Sequence, residues 1–158
     1  MLVSPTTDVR RNEFAEFVAE VEPRLRRALI GAIGADRTSD AVAHALAWAW
    51  EHWDEAVRLT NPAGYLYRVA RNSATPAPLG RVRWLIQETS RIPEVEPRLG
   101  PALSTLSPQQ RSAVWLVHAC GWSYGEAADA LEITPSALGT HLSRGMEKLR
   151  TEIVGEDR

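Results

Sequence analysis

Ser123–Arg150, SYGEAADALEITPSALGTHLSRGMEKLR, reads as two helices joined by a tight turn, and the reading of the whole chain follows from it. Ser123 with Glu126 forms a capping box: the hydroxyl accepts from an orphan amide and the carboxylate reaches back to the cap residue's own N–H. Thr134-Pro135 starts the second helix, with a hydroxyl at the cap and a proline at the first helical position, where its missing N–H costs nothing. Ala127, Ala128, Leu131, Ile133, Leu138 and Leu142 fall on the inside of the bend. This is the outline of a helix-turn-helix, whose second helix characteristically enters a DNA major groove. On that helix Ser136, Ala137, Thr140, His141, Arg144 and Lys148 occupy positions able to face a groove. Arg144 and Lys148, one turn apart, suit phosphate or base-edge contacts, and the hydroxyls of Ser136 and Thr140 can bond to either.

Working outward, Ser107-Pro108-Gln-Gln110 is another cap-plus-proline start, opening a helix that runs to about Ala119 and closes at Gly121. Before it, residues 76–101 hold Pro76, Pro78, Gly80, Pro93, Pro97 and Gly100 around an apolar patch, Val82-Arg-Trp84-Leu-Ile86. This reads as a flexible linker with at most one short helix. Asn61-Pro62 begins the helix PAGYLYRVARNSA, whose apolar face is Tyr65, Leu66, Val69 and Ala70, with Arg68 and Arg71 elsewhere on it. From about 40 to 57, Val42, Ala45, Leu46, Ala49, Trp53 and Val57 form a buried stripe, placing His44, Trp48 and Glu55 on the far side. Ser39 or Thr38 is the expected cap. Phe14, Phe17, Val18, Val21, Leu25, Ala28, Leu29 and Ile33 recur at helical spacing, and Pro23 predicts a kink or two abutting helices there. The expected organisation is all-α: a loose tail (1–12), a helical domain (13–75), the linker (76–101), a helix-turn-helix domain (102–151) and an acidic tail (152–158).

Apolar content of 44% and charge of 24% are ordinary globular values. The 18 basic and 20 acidic side chains leave a net charge of −2, and no segment is strongly basic. A tight autonomous DNA binder needs a positive footprint, so nucleic-acid binding here calls for a helper. Cys120 is the only cysteine, which excludes an intrachain disulfide or a cysteine zinc cluster; beside His118 it reads as buried and inert. There is no phosphate loop, HExxH, calcium loop or nucleophile elbow, so neither enzyme chemistry nor a cofactor or metal is expected. No apolar run approaches a membrane span, and a cytoplasmic protein is the expectation.

FAEFVAEVEPRLRRALIGAIG (14–34), SDAVAHALAWAWEHWDEAV (39–57) and NPAGYLYRVARNSA (61–74) resemble region two of a bacterial sigma-70 family factor of the extracytoplasmic-function type. The segment 106–150, LSPQQR…WSYGEAADAL…KLR, resembles region four of the same family. The resemblance implies a factor that binds core RNA polymerase and directs it to promoter DNA, with an anti-sigma factor as a further partner left open. It implies a polymerase-facing helix from Asp40 to Trp53, with Asp40, His44, Trp48 and Glu51 on it, and a loop 54–61 that holds an unstacked promoter base. Tyr65, Arg68, Arg71 and Asn72 would then lie along the melted strand, where aromatic faces and arginines suit single-stranded DNA.

Several positions depart from the family pattern. Ala43 and His44 replace a glutamine-glutamate pair, and Trp48 replaces a surface arginine. Pro76 and Pro78 cut short the basic helix expected after Asn72. Gly139, His141, Met146 and Glu147 fill basic positions of region four. Glu132 stands where the turn glycine belongs, at a cost of about 1 kcal/mol for a left-handed backbone. Three readings follow: an initiation factor that borrows affinity from polymerase, a sigma-like regulator that does not support initiation, and a protein-interaction adapter that uses Trp48 and touches no DNA.

Overall fold

A computed structural model of the chain describes residues 5–74 and 98–155. The stop at Pro76 and Pro78, the Val82–Ile86 patch and the last residues of the acidic tail lie outside them. The described residues are helical, with no strand among them.

The N-terminal unit comprises α1 (Pro5–Ile33), α2 (Ala35–Glu51), the single turn α3 (Trp53–Ala56) and α4 (Pro62–Ser73). α1, α2 and α4 pack on one another around Val21, Leu25, Leu29, Val42, Ala45, Leu66 and Ala70. The alanines at the contacts let the backbones approach closely. α1 begins eight residues earlier than the expected start at residue 13, so the stretch 5–12 forms its first turns. Arg10 holds this extension, donating to the Trp50 carbonyl at 2.7 Å with its guanidinium 4.8 Å from the Trp50 ring centre. α1 also runs unbroken through Pro23. Pro23 and Ala19 are both exposed, so the carbonyl that the proline leaves without a donor faces water.

α2 starts before either expected cap. Gly34 is its N-cap with φ 91°, a left-sided backbone that glycine adopts without strain, and Thr38 instead donates back to the Gly34 carbonyl at 2.7 Å. The expected helix 40–57 is broken at His52, which separates α2 from α3. Val42, Ala45, Ala49 and Trp53 are buried as the stripe requires, whereas Val57, past the break, is 52% exposed. Asn61 caps α4 by accepting from the Gly64 N–H at 3.0 Å.

The C-terminal unit comprises α5 (Leu99–Thr105), α6 (Pro108–Val114), α7 (Tyr124–Leu131) and α8 (Pro135–Val154). α5 takes up the end of the expected linker, and α8 extends into the expected tail. Ser107 with Gln110 and Ser123 with Glu126 both form complete capping boxes, and Thr134 caps α8 by accepting from Ala137 N–H at 3.1 Å. Between α6 and α7 the chain makes a π-helical turn, Trp115–Ala119, whose wider winding ends at Gly121 with φ 70°. Arg111, a buried cation, donates to the carbonyls of Leu103 and Leu106 at 3.0 Å and of Ser104 at 3.4 Å. It thereby satisfies the open end of α5 with the charge sign the helix dipole favours.

The two units are docked, and their buried apolar residues form one contiguous core. α4 lies against α7, and α1 against the π-helical turn. Tyr67 and Trp122, both buried, meet edge to face across the seam at 6.0 Å. Trp115 Nε1 donates to the Arg27 carbonyl at 3.0 Å.

Candidate nucleic-acid interface

The helix-turn-helix is α7, the turn at Glu132 and α8. Ala127, Ala128, Leu138 and Leu142 are buried inside the bend, with Leu131 and Ile133 packed against them. Glu132 adopts φ 57° and ψ 39°, the left-handed conformation expected of the turn residue. The outer face of α8 presents Ser136, Thr140 and Arg144 exposed, with Ala137 and His141 half-buried among them. The Thr140 hydroxyl donates back to the Ser136 carbonyl at 3.1 Å, so its oxygen remains as an acceptor. Lys148 is different. It is exposed, but its ammonium caps α5 at the Thr105 carbonyl, which ties the expected phosphate contact to the fold.

On the N-terminal unit, Asp40, His44 and Glu51 are exposed along one stripe of α2. Trp48 does not join them as an outward residue. It is half-buried, stacked on the His52 ring at 4.7 Å and against Tyr65 at 4.9 Å, and packed on the core. Arg68 continues this series, its guanidinium 5.2 Å from the Tyr65 ring centre. The result is a ladder, His52–Trp48–Tyr65–Arg68, that brings one expected polymerase residue to the expected strand-binding side. Aromatic spacing at i and i+4 across α2 was visible in the sequence, but its meeting with Tyr65 on α4 is a tertiary event.

Arg71 and Asn72 lie further along α4 at the mouth of a crevice of about 600 Å³ between the units, which Gln109 and Ser112 also line. Arg68 and Arg71 each lie 3.7 Å from a carboxylate oxygen of Glu132. Arg24 meets Glu126 at 2.9 Å, and the Asn61 amide donates to the Glu126 carbonyl at 3.3 Å and to Asp129 at 3.2 Å. Burial raises the Glu126 carboxyl, but the Ser123 backbone N–H and the Arg24 guanidinium outweigh it and hold the group below its ordinary value. Cys120 is half-buried, and desolvation, opposed by the Arg27 charge, pushes its thiol up to about 12, so it stays protonated and unreactive. Among the described residues no group of His, Cys, Asp or Glu is placed to hold a metal, and no helix is long and apolar enough to cross a membrane.

The described residues thus form two docked helical units, one of them a helix-turn-helix whose second helix exposes Ser136, Thr140 and Arg144. Residues 98–149, from the start of α5 through most of α8, match the family described as Sigma-70, region 4. That match falls within the C-terminal unit. The whole chain is similar in fold to the sigma factor RpoE in its complex with the anti-sigma factor NepR from Bartonella quintana. That match has a TM-score of 0.64 and 24% identity, and covers 92% of this chain and 99% of that one. It is likewise similar to CnrH in complex with the cytosolic domain of CnrY, with a TM-score of 0.64, 21% identity, and coverage of 94% and 91%. No curated protein matches the sequence. The chain therefore has the two-unit sigma-factor fold that its sequence motifs resemble.

Proposed function

We propose that the chain is a sigma factor that directs core RNA polymerase to promoters and initiates DNA-templated transcription in the cytoplasm. The observation that carries this reading is the region-four helix-turn-helix with Ser136, Thr140 and Arg144 exposed on its recognition helix. Ala137 and His141 complete the upstream-element surface, with the Lys148 ammonium beside it held on the Thr105 carbonyl as support for the fold, and Tyr65, Arg68, Arg71 and Asn72 form the strand-binding surface. Asp40, His44 and Glu51 face the polymerase, with Trp48 at the border between the two surfaces. The near-neutral charge suits a protein that borrows affinity from the polymerase rather than binding DNA alone. No catalysis and no cofactor enter this reading. The two similar structures are complexes with an anti-sigma factor and with a cytosolic partner domain, which supports a protein regulator of this kind for the present chain.

The test is transcription from candidate promoters with purified core enzyme, alongside co-purification of polymerase subunits. Stimulation together with co-purification is the expected result; failure of both overturns the reading. A second reading, a sigma-like regulator that binds without supporting initiation, is favoured by the end of α4 at Ser73, immediately after Asn72. Polymerase binding without promoter melting would select it.

A further inference from the structure

Glu126, Asp129 and Glu132 recur every three residues at the edge of α7, and each engages the N-terminal unit. The partners are Arg24, Asn61 and the pair Arg68 and Arg71, and the last pair belongs to the surface assigned above to the melted strand. Glu132 is the informative member. Arg68 lies 3.7 Å from one of its carboxylate oxygens and Arg71 3.7 Å from the other, ion pairs longer than hydrogen bonds that set two cations around one anionic group. The two arginine side chains are 27% and 33% exposed and the Glu132 side chain 57%, so solvent reaches the pair and the attraction is modest.

Glu132 is also the only non-glycine residue with positive φ among the described residues. A glycine would make the same turn without strain, and the carboxylate is what glycine would lack. We infer that the chain masks its own strand-binding face: Glu132 occupies the Arg68–Arg71 anion site, and a DNA phosphodiester must displace it. The inference rests on the assignment of α4 to strand binding. It makes the docked arrangement a closed state in which the helix-turn-helix unit competes with nucleic acid for the same two cations. Binding of DNA or polymerase that parts α7 from α4 frees the site, and reclosure supplies a carboxylate to it.

The test uses the full chain and a short labelled single-stranded DNA, followed by fluorescence anisotropy at low salt. Glu132→Gln removes the charge and keeps the shape; Glu132→Gly removes the charge and supplies the backbone the turn prefers, so at least one variant keeps its fold. Both are expected to bind the strand about two- to tenfold more tightly, as loss of two partly exposed ion pairs predicts. Glu13→Gln, an exposed site on α1, controls for the general loss of one negative charge and is expected to change nothing. Arg68→Gln with Arg71→Gln is expected to weaken binding and to abolish the gain from Glu132→Gln. Unchanged affinity in the Glu132 variants, or a gain that persists without the arginines, overturns the masking while leaving strand binding intact. If the arginine double variant binds as tightly as the parent, strand binding by α4 fails and the masking fails with it.

Discussion

Gly31 and Trp115 join the two units through the absence of a side chain: a Cβ at Gly31 would come within 2.3 Å of the Trp115 indole. The indole N–H is at the same time bonded to the Arg27 carbonyl, one turn back on α1, so the ring cannot move away without losing that bond. Gly31→Ala separates two effects of opposite sign. Its helical position alone predicts a gain of about 1 kcal/mol, while overpacking predicts a loss of about 1–3 kcal/mol. The expected outcome is net destabilisation in chemical denaturation, with a change in tryptophan fluorescence. A variant more stable than the parent would mean that the seam does not close on Gly31.

Glu126 links the fold of α7 to the seam, because one carboxylate serves both the capping box and Arg24. Its folded-state carboxyl is held below the ordinary 4.5. A depressed carboxylate contributes stability that is present above the unfolded value and is lost as pH falls through the folded one. The parent should therefore weaken as pH drops below about 4.5, and Glu126→Gln should flatten that acid limb while lowering stability near neutrality. Urea denaturation across that range measures both; an unaltered acid limb in the variant would show that the carboxylate carries none of it.

What the sequence disclosed was local. Asn61, Ser107, Ser123 and Thr134 each satisfy an amide within three residues, so the starts of α4, α6, α7 and α8 were visible in a short window. The left-handed Glu132 and the buried interior of the bend were legible for the same reason. Docking was not, because its bonds join residues far apart in the chain: Arg27 to Trp115, Arg24 to Glu126, Asn61 to Asp129. Tyr67 illustrates the difference. On α4 it falls beside the expected apolar face, and only the arrival of Trp122 explains why it is 1% exposed. The π-helical turn is equally silent in sequence: the Cys120 N–H bonds to the Trp115 carbonyl five residues back, and no residue type in that stretch announces the wider winding.

Arg111 reads from sequence as one more basic residue beside a DNA-binding motif, yet it closes α5. Arg111→Met would keep much of the volume but take the guanidinium donor from three carbonyls, of which Leu103 keeps the Leu106 N–H, at a cost of about 2–3 kcal/mol. Arg111→Lys should recover only part of it, because an ammonium cannot reproduce the guanidinium fork. Thermal denaturation of the two variants orders them, and equal stability of lysine and arginine at this site would show that charge alone suffices.

Arg144 and Lys148 divide one helix between the proposed DNA contact and support of the fold. Arg144 is exposed, with its turn of α8 open to a groove, whereas the Lys148 ammonium is spent on the Thr105 carbonyl. In a complex with polymerase and promoter DNA, Arg144→Ala should reduce the slope of log affinity against log salt by about 1 if the contact is to phosphate. If the contact is to a base edge, the loss should be about 1–3 kcal/mol and confined to one position of the upstream element. Lys148→Ala should leave the salt slope unchanged and lower stability by about 0.5–1.5 kcal/mol, the net worth of one hydrogen bond. Paired salt titrations and melts decide the assignment: a slope that falls for Lys148→Ala and not for Arg144→Ala would reverse the roles of the two cations.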